Sequence, residues 1–232
     1  MTLNELVYDL LERYQNTISD DINIDFRKIA FWIHNQRALW ISNNLKKLRY
    51  VPDTIAQELK DLELEVVDNI NIGILNLPIG KKVLRTKLEL PKFITGYNRD
   101  AILSINGADI SNPRFNIIQY DRAPYIGSGK VNKNEIYTFL YNGKLYFIGN
   151  ADSIKWKGLK YINVFGIFDN PEEVAKYLDR SGNTYWNWDS HYPLNRDMYD
   201  YMKAEILKID FGMFISDKNN DADTEEETKE RK

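Results

Sequence analysis

A chain of 232 residues without a cysteine excludes disulfides, thiolate metal sites and cysteine nucleophiles, yet is long enough to bury a core unaided. Its formal charge is −3, and the segment after Ser216, with seven acids against four bases, accounts for it; residues 1–216 are nearly neutral, which argues against a nucleic-acid gripper, whose ligand demands a basic excess. The acidic start MTLNELVYDLLERY does not read as a signal peptide, and no apolar run approaches the roughly 20 residues that span a bilayer, so a soluble protein made in a reducing cytoplasm, with no membrane partner, is expected.

Thr2 and Glu5 have the spacing of a capping box, and Leu3, Leu6, Val7, Leu10, Leu11 and Tyr14 make the stripe of a first helix. A polar turn over Asn16–Ile22 leads to Asn23 or Asp25, either of which can cap a second helix reaching about Leu48. Phe26, Ile29, Ala30, Ile33, Trp40, Ile41, Leu45 and Leu48 lie on one face of it, and Phe31, Trp32 and Leu39 widen that face beyond an ordinary core stripe. A helix with surplus apolar surface packs against something outside its own small domain. Arg37 falls near the middle of the apolar face and needs a partner: either a salt bridge within the fold or one to a neighbouring subunit.

Val51-Pro52-Asp53 breaks the helical pattern. Thr54–Lys60 reads as a short helix, after which Leu62, Leu64 and Val66 alternate with Glu63 and Glu65 as in a half-buried strand. Val83–Leu90 and Ala101–Ile105 are further strands, and Phe115–Tyr120 reads as another, with helix not excluded there. Asn142-Gly143 between Glu135–Tyr141 and Lys144–Ile148 is the signature of a type I′ hairpin. Tyr161–Phe168 is a buried strand. Asn170-Pro171 with Glu172 and Glu173 starts a helix to about Asp179. A loop over Arg180–Tyr192 holds Trp186, Trp188 and His191, and a last helix runs from about Asn195 to Ile209 with Met198, Tyr199, Met202 and Ile206 as its stripe.

The expected fold is α+β: an N-terminal helical hairpin (1–50) and C-terminal helices (169–215) packed around a small, mainly antiparallel β domain (51–168), followed by a disordered acidic tail (216–232).

Reactive chemistry is hard to find. Gly127-Ser128-Gly129-Lys130 resembles part of a phosphate loop, but Pro124 and Val131 stand where a Gly and a Ser or Thr belong. Asp217, Asn219, Asp221 and Asp223 have calcium-loop spacing, but Ala222 and Thr228 replace its Gly and Glu. Two histidines, His34 and His191, exclude a His-rich metal site. No catalytic residue, metal ligand or cofactor is assigned, and no enzyme is expected. Trp186, Trp188, Asp189 and His191 leave one alternative, a small carbohydrate- or nucleic-acid-binding module on the Trp186–His191 loop; the plainer reading is a loop pinned to the body by its aromatics.

The order of these elements, with MTLNELVYDLLERY and DFRKIAFWIHNQRALWI, VPDTIAQELKDLELEVVD, YIGSGK before NEIYTFLYNGKLYFI, DNPEEVAKYLD and YPLNRDMYDYMKAEILKIDF, resembles the head-to-tail connector, or ring, proteins of tailed bacteriophages, especially those of short-tailed crAss-like phages. The resemblance spans nearly the whole chain. It implies a virion structural protein: a homo-oligomeric ring of twelve copies in the phage neck, stacked on the portal protein. Such a ring extends the DNA channel, offers a platform to other neck and tail ring proteins, and lets packaged DNA pass without specific binding. On that reading Phe31, Trp32, Arg37, Leu39, Trp40, Trp186 and Trp188 are the candidate contacts to neighbouring subunits or the portal.

Overall fold

The computed structural model describes residues 1–17, 24–45, 52–68, 82–96, 99–108, 114–126, 135–149, 154–179 and 181–210. The Gly127–Lys130 stretch, the far end of the second helix at Leu48 and the acidic tail lie outside them.

Helix α1 (Leu3–Thr17) opens with the capping box: the Glu5 amide donates to Thr2 Oγ1 (3.2 Å), and the Thr2 amide to Glu5 Oε2 (2.9 Å). Its stripe of Leu3, Leu6, Val7, Leu10 and Tyr14 is buried. Helix α2 (Phe26–Asn44) is capped by Asp25, whose carboxylate accepts from the Arg27 amide (3.1 Å). It buries Ile29, Ala30, Ile33 and Ile41 beside α1, each isoleucine worth about 1.5–3 kcal/mol of apolar transfer.

Among the described residues seven strands form one sheet: β1 (Gln57–Asp68), β2 (Lys82–Thr86), β5 (Ile102–Gly107), β6 (Asn116–Ile117), β7 (Tyr137–Tyr141), β8 (Lys144–Ile148) and β9 (Tyr161–Gly166), in the order β5-β9-β1-β2-β8-β7-β6. Every pairing is antiparallel except β6 with β7. The fragments β3 (Thr95–Gly96) and β4 (Arg99–Asp100) pair separately. The expected helix over Thr54–Lys60 is a single 3-10 turn, Asp53–Ile55, and the chain is extended from Gln57 onward because Gln57 to Leu59 pair with β9. A bulge between Leu59 and Leu62 puts Asp61 at φ 52°, and its amide donates to Asn163 Oδ1 (2.9 Å). The β7–β8 turn has Asn142 at φ 47° and Gly143 at φ 72°, the pair of left-handed residues a type I′ hairpin requires.

Alternation along the strands splits the sheet into two faces. Leu84, Leu145, Phe147, Ile162 and Val164 join the main core with the helices. Val83, Phe139, Tyr146 and Ile148 point the other way, into a smaller cluster closed by the 3-10 turn Tyr120–Tyr125. That turn occupies the end of the ambiguous Phe115–Tyr120 stretch. After the short helix α3 (Ile154–Gly158) and β9, Asn170 caps as expected, its Oδ1 accepting from the Glu172 amide (2.9 Å), but the segment is a 3-10 turn, Pro171–Lys176, rather than a helix to Asp179. Helix α4 (Arg196–Glu205) buries Met198 and Met202 and runs into one π turn, Ile206–Asp210. The molecule is α+β, with its helices on one face of a mainly antiparallel sheet.

Candidate subunit interface

The inner face of α2 is complete within the chain, so its outer face can be judged separately. There Phe31, Asn35, Leu39 and Asn43 are exposed and follow one another at four-residue steps, a ridge along the helix. Phe31 is 60% and Leu39 56% exposed, large values for side chains of this size. Phe26, exposed on the first turn but off this ridge, meets Tyr8 of α1 edge to face, with ring centroids 5.4 Å apart. Trp32 and Trp40 flank the ridge, half-buried against the main core. Arg27 and Lys28 stand exposed on the first turn, with the Lys28 ammonium 5.2 Å from the Trp32 ring, and α2 holds no acidic residue. Leu39 also borders a recess of about 290 Å³ between α2 and α4, whose other walls are Gln36, Trp40, Asn43, Asn44 and Tyr201.

Arg37 lies inside. It is fully buried and donates through Nε to the Pro193 carbonyl (2.7 Å), through Nη1 to Phe168 (2.8 Å) and through Nη2 to Ile55 (2.9 Å). Among the described residues its acceptors are therefore carbonyls, and neither salt bridge foreseen from the sequence is the arrangement found. The planar fork of donors reaches three divergent chain segments at once, which one carboxylate could not do. Burial lowers the guanidinium pKa, Tyr192 and Asp169 counter that, and the group stays charged. Next to it His34 Nδ1 lies 2.8 Å from the Tyr192 hydroxyl, and His34 Nε2 lies 3.6 Å from Glu172 Oε1. His34 holds the Glu172 carboxyl below its usual value against the opposing effect of burial, and burial pushes the Tyr192 phenol well up.

The aromatic loop is pinned. The Trp186 ring is 4% exposed and Trp188 is half-buried on the core. The Asn4 amide donates to the Trp188 carbonyl (3.3 Å), Asn4 Nδ2 to Asp189 (2.5 Å) and the Tyr192 amide to the Met1 carbonyl (3.0 Å). A recess of about 550 Å³ opens between this loop and the start of β1, but a buried indole is no platform for stacking a sugar or a base. Among the described residues no group of acidic or histidine side chains could hold a metal ion.

Of the residues singled out from the sequence, Phe31 and Leu39 thus share one outer ridge with Trp32 and Trp40 at its sides, Trp188 sits on a separate loop, and Arg37 and Trp186 are interior. Tyr8 escaped the sequence reading, although an aromatic off the α1 stripe was the signal. Tyr125 also escaped, and at 80% it is the most exposed of the large hydrophobic side chains among the described residues. A family model described as phage tail ring protein 2 matches residues 5–228. None of the curated proteins matches the chain.

Proposed function

Since the chain belongs to the phage tail ring protein 2 family of crAss-like phages, a structural family of the virion, we propose that it forms a homo-oligomeric ring of twelve copies in the phage neck. In this reading the ring lies beneath the portal, continues the DNA channel and seats further tail rings. It has no catalytic role. The observation that carries the proposal is the outer ridge of α2: a helix whose core side is already filled exposes Phe31 and Leu39 to solvent. Covering such residues in a neighbour gains about 25 cal/mol for each Å² of apolar surface removed from water. A nearly neutral body also suits a channel wall. Arg85 pairs with Glu65 (2.6 Å), Lys87 with Glu63 (2.9 Å) and Lys60 with Glu58 (3.4 Å), so these cations are answered within the sheet and add little hold on passing phosphates.

Mass photometry and negative-stain microscopy, with and without the portal protein, test the proposal. Wild type should give ring-shaped particles, and Leu39→Asp should stay monomeric with an unchanged melting temperature. A Leu39→Asp variant that assembles like wild type overturns the role given to this ridge, and a wild type that never associates, even with portal, overturns the ring itself.

A further inference from the structure

A closed ring of more than two identical chains cannot use the same patch on both partners. Each copy must offer two different surfaces that fit one another. The α2 ridge is one of them, and the structure holds a second on the opposite side of the sheet. There the turn Tyr120–Tyr125 covers the smaller core. Tyr120 stacks on Tyr141 with centroids 4.8 Å apart and planes at 12°, over Phe139 stacked on Tyr146 at 5.4 Å and 15°. From this aromatic base Tyr125 projects, 80% exposed.

We propose that Tyr125 of each copy seats in the recess beside Leu39 of the next copy, so that the tyrosine patch of one sheet packs on the α2 ridge of its neighbour. The proposal rests on the ring reading above and adds which two faces meet. Three features fit the pair. The recess, about 290 Å³, is bordered by Leu39, Trp40 and Tyr201 for a ring and by Gln36, Asn43 and Asn44, whose amides can bond a phenol hydroxyl. At the far end of the ridge from the recess, the first turn of α2 exposes Arg27 and Lys28, cations that the ring faces of the rest of the tyrosine patch would attract. The two faces lie on opposite sides of the sheet, which is what head-to-tail closure needs, because neither hides the other. Tyrosine suits the contact, since an apolar ring with a polar tip serves an interface that must stay soluble before assembly.

Two variants, each missing one face, test this by mixing. Leu39→Asp spoils the recess and Tyr125→Asp the knob; both positions are exposed, and melting curves confirm folding. At a concentration where wild type forms rings, each variant alone should run as a monomer. Their equimolar mixture should double the mass to a dimer and stop, because only one intact pair of faces is left. Rings formed by Tyr125→Asp, or a mixture that stays monomeric, overturn the pairing while leaving the ring reading intact; absence of wild-type rings even with portal present overturns both. If either aspartate variant unfolds, Leu39→Asn and Tyr125→Ala replace them. A second readout uses the absence of native cysteine. In assembled wild-type background, an Asn43→Cys Arg122→Cys double variant treated with a short bismaleimide should give a ladder of covalent oligomers, whereas each single variant should give none. Dimers from a single variant would mean that like faces meet and would overturn the pairing.

Discussion

The residue that ties most of the fold together is a buried cation. Replacing Arg37 by Met keeps the volume but leaves the carbonyls of Ile55, Phe168 and Pro193 without their donors. At about 1–3 kcal/mol for each buried group left unpaired, the variant should lose at least about 3 kcal/mol, read as a fall in the urea midpoint with an unchanged slope. Its burial was legible in the sequence, because Arg37 sits in the apolar stripe of α2. Its acceptors were not, since every residue has a carbonyl and nothing local says which ones end up unpaired. A second residue sets an acid limit. Burial by itself raises the Asp9 pKa, but hydrogen bonds from Lys203 and Tyr199, with the Lys203 charge, outweigh it and hold the carboxyl below its usual 3.8. A lowered folded-state pKa gives stability that is complete above the unfolded value and is lost as pH falls through the folded one. Wild type should therefore lose this contribution as the pH falls below about 4, and Asp9→Asn should flatten that limb in urea titrations at stepped pH.

At the scale of elements, the close fit between β9 and the residues on either side of the β3–β4 pair gives the sharpest prediction. A Cβ on Gly166 would meet the Phe93 ring at 2.7 Å and the Ala101 carbonyl at 3.1 Å, and Phe93 is itself packed on Phe168 with centroids 4.9 Å apart. Gly166→Ala should cost about 1–3 kcal/mol through overpacking, seen as a lower melting temperature, whereas Gly158→Ala, with open space around it, should not. Elements with local signals were legible: the Thr2–Glu5 box, the Asn142-Gly143 hairpin, the Asn170 cap and the alternation in β1. Those decided by distant pairing were not. Gln57 to Leu59 are strand because β9 is there to receive them, and the order β5-β9-β1-β2-β8-β7-β6 follows from contacts far apart in the chain. The same limit hid the tyrosine patch, since Tyr120 and Tyr141 stack only once the turn Tyr120–Tyr125 folds over the sheet.

For the molecule as a whole, charge is the property with the widest reach. Non-specific DNA binders reach a Kd of about 10⁻⁴–10⁻⁶ M at physiological salt. A body near neutrality, with Lys60, Arg85, Lys87 and Lys92 each facing a carboxylate, should fall short of that range. Fluorescence anisotropy with a labelled duplex should show no binding at micromolar protein, and a curve saturating there would contradict a wall that lets DNA slide. The surplus of apolar side chains that made assembly legible in the sequence is a property of this scale too, although only the fold sorts Phe31 and Leu39 from Arg37 and Trp186. The two margins of the sheet bear on a different hazard. At one margin β6 has two residues, and at the other the strap at Arg114–Phe115 occupies β5, with the Phe115 amide donating to the Ile105 carbonyl (2.8 Å) and the Arg114 guanidinium to Leu103. Among the described residues neither margin offers a long open row of amides, so crowded copies awaiting use lack a template there for fibril growth, and a stockpile of this chain should keep for long periods without turning into amyloid.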